Sequence, residues 1–444
     1  MAESLRDLLI HGGRLVTPQG VREADILIRD GAIVAVSEGL TAPAGAKLLD
    51  AGGKLVFPGL IDTQVHFREP GLTHKEDLAS GSLAAVGGGV TTFFEMPNTK
   101  PPTVSPEALQ DKLDRARGRC WADHAFFMGA TRDNADMLGE WERLPGCAGI
   151  KIFVGSSTGS LLVDDDETLE RIFRSGHTRI PVHSENEKRL RARYADVVEG
   201  SPYRIHPEVR DVEAALSSTR RLLDLVEKTQ RPMHLLHVST AEELDLLRER
   251  DLGELVTAEA TPNHLFLAGP DCYDVMGSLV QMNPPVRDVR HREALREALS
   301  DGTIDVIGSD HAPHTLDEKQ QPYPKSPSGI PGVQTILPLL LVAVREGWLK
   351  LEQIPLLTAE GPARIYGIQR KGALEPGCDG DVTLVDPSID QPLPLEWLHS
   401  RAGYSPYLGL PLAGWPVTTV LRGRIVHDRF APVGDPDGRP AELA

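Results

Sequence analysis

The sequence of 444 residues predicts an α/β fold built on a (β/α)8 TIM barrel, with β-rich segments at both ends of the chain. Two observations predict this fold. Through the middle of the chain, over roughly 250 residues, short apolar runs alternate with amphipathic helical stretches, which is the rhythm and the length of such a barrel. At both ends, short apolar runs instead pair around GG or DG turns, as in β-hairpins.

The two β-rich ends of the chain share one sequence pattern. Near the N-terminus it appears in DLLIHGGRLVT, ADILIRDGAIVAVSE and AKLLDAGGKLVFPG. It returns after residue 370 in GDVTLVDP and TTVLRGRIVHD. These short, turn-punctuated runs are too closely spaced for βα units, so we expect them to lie outside the barrel.

The middle section contains eight candidate strands, one for each unit of the barrel. They are LIDTQVH, VTTFFEM, HAFFMG, AGIKIFV, RIPVHS, PMHLLHV, ELVTAE and TIDVIGSD. Stretches such as PEALQDKLDRARG, DETLERIFRSG, DVEAALSSTRRLLDLVEKT and TAEELDLLRER supply the helices between strands. In such a barrel the active site is built where the C-terminal ends of the strands meet.

Chemically reactive side chains stand at the C-terminal ends of several candidate strands. They are Gln64, His66, Lys151, His183, His237 and Asp310. A single histidine at a strand end is more often a hydrogen-bonded structural residue, but three on different strands favour a shared metal site. In LIDTQVHFREPG the polar residues recur at every second position, which places Asp62, Gln64, His66 and Arg68 on one face of a strand.

Three of these residues need separate justification. Lys151 is an isolated cation in an apolar strand, where lysine is rarely buried without a partner or a modification. His234 and His237 would point to opposite faces of a strand, and His237, nearer the C-terminal end, is expected to face the barrel interior. Asp310 follows an apolar run and can hold a metal or accept a proton, although a polar turn that caps a helix is an alternative.

Composition excludes several classes of partner. The formal net charge is -17 and the pI is about 5.4, which disfavours nucleic acid and anionic membranes. No uninterrupted apolar stretch approaches the ~20 residues of a membrane span, and MAESLRDLLIHGG has no signal-peptide pattern. The four cysteines are scattered, without a disulfide framework. We expect a cytoplasmic protein with a small-molecule substrate.

A series of motifs across most of the chain resembles the dihydroorotase branch of the amidohydrolase superfamily. The motifs, in order, are DTQVHFREPG, MPNT, GIKIFVGSSTG, PVHSE, HLLHVST, MNPPVR and GSDHAPH. The resemblance implies a small composite β-sandwich domain made from residues 1–57 and 367–444, around a barrel at residues 58–366. It also implies a homodimer or a higher homo-oligomer.

The same resemblance implies a function. A dihydroorotase would be a metal-dependent hydrolase that interconverts N-carbamoyl-L-aspartate and (S)-dihydroorotate in de novo pyrimidine (UMP) biosynthesis. One or two zinc ions would be held by His66, His183, His237 and Asp310, with a carboxylated Lys151 as bridging ligand. Asp310 would also shuttle the catalytic proton. The substrate would contact Arg68, Asn98, Asn283 and His314, and the planar fork of Arg68 suits an acidic substrate.

Gln64 departs from the family pattern, because relatives usually have histidine there. An amide oxygen is a weaker ligand for zinc, so Gln64 is either a weak metal ligand or a residue behind the ligands. Two alternatives stay open: an allantoinase or hydantoinase, and a non-catalytic dihydroorotase-like partner subunit. A chain freed from catalysis should lose several site residues together, and here only Gln64 is out of pattern. HTLDEKQQPYPKSPSGIPG predicts either a mobile loop beside the site or a structural excursion.

Overall fold

The computed structural model describes residues 7–155 and 161–444. Residues 156–160, which are the SSTG that ends the GIKIFVGSSTG motif and the following Ser160, lie outside the described part, as do residues 1–6. Among the described residues, no helix combines the length and the apolar character needed to cross a membrane.

Strands from both ends of the chain form one mixed sheet of nine strands. They are β1 Leu8–Thr17, β2 Gly20–Arg29, β3 Ala32–Ser37, β4 Lys47–Asp50, β5 Leu55–Pro58, β14 Val382–Pro392, β15 Pro411–Leu421, β16 Arg424–Asp428 and β17 Ala431–Pro432. The strand order is β17-β16-β15-β14-β5-β1-β2-β3, and β4 also pairs with β1. Antiparallel pairing of β5 with β14 joins the two ends in one β domain.

The sheet branches at β1, so the layers expected of a sandwich are parts of one hydrogen-bonded sheet. The first half of β1 pairs with β4 and the second half with β5, on either side of a register shift between Ile10 and Gly13. Gly12 has φ +72°, a backbone conformation that suits glycine. A β-carbon at Gly13 would lie 2.5 Å from a methyl group of Val56. Glycine at both positions therefore permits the branch.

Eight parallel strands form the barrel, as the sequence predicts. They are β6 Leu60–Val65, β7 Val90–Glu95, β8 Asp123–Gly129, β9 Cys147–Phe153, β10 Ile180–His183, β11 Met233–Leu235, β12 Val256–Ala260 and β13 Val306–Ile307. The strands pair in sequence order from β6 to β13. The first and last strands meet just beyond β13, where the backbone N–H of His66 donates to the carbonyl oxygen of His311 at 2.8 Å.

Helices connect the barrel strands. The α-helices are α1 Leu78–Gly87, α2 Pro106–Ala116, α3 Leu138–Trp141, α4 Asp166–Arg174, α5 Glu187–Tyr194, α6 His206–Val209, α7 Val212–Thr229, α8 Ala241–Arg250, α9 Pro262–Phe266, α10 Asp271–Met276, α11 Val289–Asp301, α12 Leu316–Lys319, α13 Ile336–Arg345, α14 Gln353–Pro355 and α15 Gly361–Tyr366. Shorter 3-10 turns span Tyr203–Ile205, Gly253–Leu255, Gly277–Val280, Val333–Thr335 and Leu395–Trp397, and a π turn spans Leu356–Glu360.

Local sequence explains where the main helices begin. The Ser105 side chain accepts from the Ala108 N–H, and a proline at the first position follows it in α2. Asp211 caps α7 and Thr240 caps α8 in the same way. Such caps satisfy backbone N–H groups that have no partner inside the helix.

A buried ion cluster ties the N-terminal end of the barrel to the β domain. The ammonium group of Lys371 lies 2.8 Å from Asp123, 3.1 Å from Asp379 and 2.6 Å from Asp381. Arg422 also pairs with Asp123, which begins β8. The three carboxylates are close enough together to hold a metal ion. The Lys371 ammonium contacts all three and already supplies the positive charge, so this cluster joins two parts of the fold.

Candidate active site

The ten site residues named from the sequence all line one cavity of about 500 Å³ at the C-terminal end of the barrel strands. They are Gln64, His66, Arg68, Asn98, Lys151, His183, His237, Asn283, Asp310 and His314. They come from segments far apart in the sequence, and the barrel brings them together because parallel strands end at the same face.

The alternation expected at residues 62–68 holds only in part. Gln64, His66 and Arg68 reach the cavity, but β6 ends at Val65, and Arg68 has φ +66°. Asp62 lies deeper, where one carboxylate oxygen accepts the N–H groups of Gln64 and Ser309, each at 3.1 Å. Asp62 therefore connects the first barrel strand to the segment after the last one.

Three site residues have a left-handed backbone. Arg68 has φ +66°, His237 has φ +38° and Asp310 has φ +46°. Residues other than glycine adopt such angles at an energetic cost, and they concentrate at functional sites. His237 lies two residues beyond the end of β11, so strand alternation does not decide its direction. His234, within β11, is buried and contacts Thr257 at 2.8 Å.

His66 and Asp310 face each other across one side of the cavity. The Nδ1 of His66 lies 2.7 Å from the Asn98 side-chain oxygen, so Nδ1 carries the ring proton and Nε2 has a free lone pair. That Nε2 lies 3.1 Å from Asp310 Oδ1. Burial lowers the pKa of His66, which keeps the ring neutral. An imidazole nitrogen and a carboxylate oxygen thus lie side by side, and both are ligand types that bind zinc.

His183 and His237 form a second pair. The Nε2 of His183 lies 3.0 Å from a carboxylate oxygen of Glu185 and donates to it, which leaves the Nδ1 lone pair free. That Nδ1 lies 3.0 Å from Nε2 of His237. Burial lowers the pKa of both rings, and Nδ1 of His237 has no hydrogen-bond partner in the described part of the chain. The pair thus presents ring nitrogens suited to a metal.

Glu185 fixes the direction of His183, and the sequence analysis missed it. Burial raises the pKa of Glu185, but Arg210 and His183 outweigh this and hold the pKa below its ordinary value. Arg210 Nε donates to Glu185 at 3.0 Å, and both side chains are buried. A carboxylate that accepts from a metal-binding histidine fixes its proton and its orientation. The HSE spacing, with Glu185 two residues after His183, was the available signal.

Lys151 lies buried between these groups. Its ammonium nitrogen has no hydrogen-bond partner among the described residues and lies 4.5 Å from the centroid of the Phe153 ring. Burial lowers its pKa well below 10.5, although Asp310 and Glu259 act in the opposite direction. Burial thus favours the neutral amine form of Lys151, which is the form that reacts with carbon dioxide.

Gln64 contacts Asp310. Its side-chain nitrogen donates to Asp310 Oδ1 at 3.2 Å, and its side-chain oxygen is buried without a partner in the described structure. The reverse orientation of the amide would place two oxygens together, so this orientation is favoured.

Basic residues gather at another side of the cavity. Arg68 Nε donates to the carbonyl oxygen of Pro313 at 3.1 Å, and Arg68 Nη2 lies 3.2 Å from Nε2 of His314. Lys75 lies behind His314, with its nitrogen 3.0 Å from Nδ1. Asn283 is fixed by His206, whose Nε2 lies 3.1 Å from the Asn283 side-chain oxygen. A cationic group with free donors suits a carboxylate.

The loop at residues 322–329 forms one wall of the cavity, which residues 324–329 line. Buried Lys319 donates to three carbonyl oxygens, those of Gln281 at 3.1 Å, Pro327 at 2.9 Å and Gly329 at 3.0 Å. The Gln281 side chain also donates to Ser326 O at 2.9 Å and accepts from Ser326 Oγ at 2.6 Å. This wall is therefore attached to Lys319 through its main chain, and to Gln281 through the main chain and side chain of Ser326.

Family models and curated relatives identify the family to which the chain belongs. A model described as "Amidohydrolase family" matches residues 203–426, and one described as "Dihydro-orotase-like" matches residues 53–127. A dihydroorotase from Methanosarcina acetivorans is 37% identical over 433 residues, which is 95% of this chain and 92% of the relative. One from Halobacterium salinarum is 37% identical over 402 residues, or 87% of this chain and 90% of the relative. The chain belongs to the dihydroorotase group of the amidohydrolase family.

Solved structures confirm the predicted barrel with its β domain. The L-hydantoinase (dihydropyrimidinase) from Arthrobacter aurescens has a TM-score of 0.90 and 30% identity, and the match covers 97% of this chain and 98% of that one. The dihydropyrimidinase from Brevibacillus agri has a TM-score of 0.89 and 26% identity, with 98% of each chain covered. As a member of the dihydroorotase group, this chain is a metal-dependent hydrolase of cyclic amides, which confirms the predicted class of enzyme.

Proposed function

We propose that this enzyme interconverts N-carbamoyl-L-aspartate and (S)-dihydroorotate. The observation that carries the proposal is the position of Arg68 and His314 in the same cavity as the histidines and Asp310. A site that hydrolyses a cyclic amide then lies beside a site for a carboxylate. Dihydroorotate has both groups on one ring.

The donor atoms fit zinc. We propose that His66, His183, His237 and Asp310 hold one or two ions, with a carboxylated Lys151 as bridging ligand. Support comes from the two facing pairs of neutral or anionic donors and from the unpartnered Lys151 amine. Imidazole and carboxylate are ligands that zinc prefers, and carboxylation converts an amine into an oxygen ligand.

Gln64 is the residue on which the number of ions depends. We propose that its nitrogen orients Asp310 while its unpartnered oxygen serves as a weak ligand. A neutral amide oxygen binds zinc less strongly than imidazole does, so the ion on this side would be held less tightly than its neighbour.

The residues of the chain then share the steps of hydrolysis. Bound zinc supplies Lewis acidity, which polarises the amide carbonyl and lowers the pKa of water. Arg68 and His314 bind the substrate carboxylate, and Asn98 and Asn283 orient the ring. Asp310 accepts a proton from the attacking water and delivers it to the ring nitrogen as the carbon–nitrogen bond breaks. Ring closure follows the same path in reverse.

The proposal includes the cellular compartment and the oligomeric state of the enzyme. We propose a cytoplasmic homodimer or higher homo-oligomer that acts on a small molecule, on the strength of the family motifs.

The second candidate is a hydantoinase, which the similarity to solved hydantoinases favours. Plain hydantoin and allantoin carry no carboxylate, so they would leave the buried guanidinium of Arg68 without an anion to pair with in the ligand. Buried charges without partners are costly, and the acidic substrate is therefore the better fit.

A substrate comparison tests the proposal. Zinc-loaded enzyme should turn over L-dihydroorotate much faster than hydantoin or allantoin. Arg68→Met should raise KM for dihydroorotate roughly 10- to 100-fold, because charge-assisted hydrogen bonds are lost, and should change KM for hydantoin little. Faster turnover of the neutral rings, or an unchanged KM for dihydroorotate, would contradict the acidic substrate.

A further inference from the structure

Two polar neighbours of His314, Lys75 and the carbonyl group of Ser328, favour the same position for its ring proton, whereas Arg68 Nη2, 3.2 Å from Nε2, favours the other. Lys75 lies 3.0 Å from Nδ1, and an ammonium group can only donate, so Nδ1 must accept. On the other side, the carbonyl oxygen of Ser328 lies 3.1 Å from Nε2 and can only accept, so Nε2 must donate. The proton of the neutral ring therefore sits on Nε2.

The opposite tautomer would be unfavourable. A proton on Nδ1 would face the Lys75 ammonium group at 3.0 Å. Its other neighbour, Glu318 Oε2, lies 3.5 Å away and already accepts the Thr315 N–H at 3.1 Å. Burial, together with Arg68 and Lys75, lowers the pKa of His314, so the doubly protonated ring is disfavoured as well.

The Lys75 side chain is held in this position by burial and by an ion pair. Its side chain is 13% exposed, and its nitrogen lies 3.1 Å from Glu318 Oε1. Glu318 in turn forms the capping box of α12 with Thr315. The ammonium group is thus held between a carboxylate and the imidazole, and its direction is set by a helix terminus.

The tautomer determines what the cavity offers to a ligand. With the proton on Nε2, Arg68 Nη2 at 3.2 Å faces another donor and finds no acceptor on His314. An anion placed there would accept from Arg68 Nη2 and share the Nε2–H of His314 with the carbonyl oxygen of Ser328. A carboxylate is the class of group that accepts from both.

We propose that Lys75 is a positioning residue that keeps the His314 proton on Nε2, so that His314 and Arg68 together receive the substrate carboxylate. This inference rests on the proposed function for the identity of the anion. The assignment of the tautomer does not depend on that function.

Two measurements on the zinc-loaded enzyme test the role. In a sample with ¹⁵N-labelled histidine, assigned with the help of His314→Asn, the His314 signals should show an unprotonated Nδ1 and a protonated Nε2. In Lys75→Met, a fraction protonated at Nδ1 should appear. KM for dihydroorotate should rise about tenfold with kcat within about threefold, because a charge-assisted hydrogen bond is lost.

Matched variants separate this role from a general loss of charge or of folding. Lys75→Arg keeps a hydrogen-bond donor at this position, so its KM for dihydroorotate should lie close to the wild-type value. Lys100→Met removes a nearby exposed cation without a contact to His314 and should leave tautomer and KM as in the wild type. An Nδ1-protonated ring in the wild type, or an unchanged ring in Lys75→Met, would overturn the inference. Wild-type enzyme inactive on dihydroorotate but with the expected spectrum would overturn only the proposed substrate.

Discussion

The two ends of the barrel bury clusters of ionisable groups in opposite ways. At the N-terminal end, Lys371 has carboxylate partners at 2.6 to 3.1 Å. At the C-terminal end, the nitrogen of Lys151 and the Nδ1 of His237 have no hydrogen-bond partner in the described structure. Unsatisfied buried polar groups cost stability, and proteins keep them where a ligand completes them. The difference separates a cluster that joins parts of the fold from one that performs chemistry.

Lys371 and Lys151 show how the surroundings of a buried lysine decide the direction in which its pKa shifts. Burial lowers the pKa of Lys371, but its three aspartates outweigh this and raise the pKa above the ordinary value. Burial also lowers the pKa of Lys151, and there the distant carboxylates do not compensate. The aspartates therefore hold Lys371 as a cation, whereas burial favours the neutral amine of Lys151.

The largest effect is expected for Asp310→Asn. An amide cannot take up and return the catalytic proton, so kcat should fall about a thousandfold, within the usual range for a general acid–base residue. Steady-state kinetics on dihydroorotate measure it. Asp123→Asn at the other end should keep kcat and lower the melting temperature. A kcat for Asp310→Asn within tenfold of wild type would remove Asp310 from proton transfer.

A matched pair of lysine variants addresses stability. Lys371→Met removes the cation that contacts all three buried carboxylates, although Arg422 still pairs with Asp123, and should lower the free energy of unfolding by roughly 3–5 kcal/mol. Lys151→Met removes an unpartnered amine and should leave the free energy of unfolding equal or higher, while it abolishes activity. Urea denaturation of the metal-free proteins measures both. Equal losses in the two variants would mean that the two ends do not differ in this way.

The smallest effect is expected for Lys319→Met. The variant loses three hydrogen bonds to carbonyl oxygens, so residues 322–329 should exchange amide hydrogens faster and KM should rise about threefold. Hydrogen exchange read by mass spectrometry follows the loop directly. Lys325→Met removes only an exposed ion pair with Glu199 and should leave exchange unchanged. Equal exchange in both variants would show that Lys319 does not anchor the wall.

The sequence predicted which residues meet in the cavity because one rule of the fold decides it. Once His66, Lys151 and Asp310 are assigned to the ends of parallel barrel strands, convergence follows without knowledge of side-chain contacts. Choosing His237 over His234, on the premise that alternation lets only one face the interior and that His237 is nearer the C-terminal end, also reached a cavity residue. The reason was different, because β11 ends before His237.

Contacts behind the cavity could not be predicted. Glu185 and Arg210 are 25 positions apart, and Lys75 and His314 are 239 positions apart. No periodicity links such pairs, and their meeting depends on where loops turn. The left-handed backbone of Arg68 is likewise imposed by the packing around it.

The way in which Lys319 holds the cavity wall affects how this family can diversify. Its partners are the main-chain oxygens of Gln281, Pro327 and Gly329, which every amino acid possesses. The exposed side chains at residues 322, 324 and 325 can therefore be exchanged without loss of the anchor, whereas the buried Tyr323 and Ser326 have to stay. Mutation can reshape this wall for a new ring while the hydrolytic residues on the barrel stay in place, so inherited chemistry and changing specificity are separable during evolution.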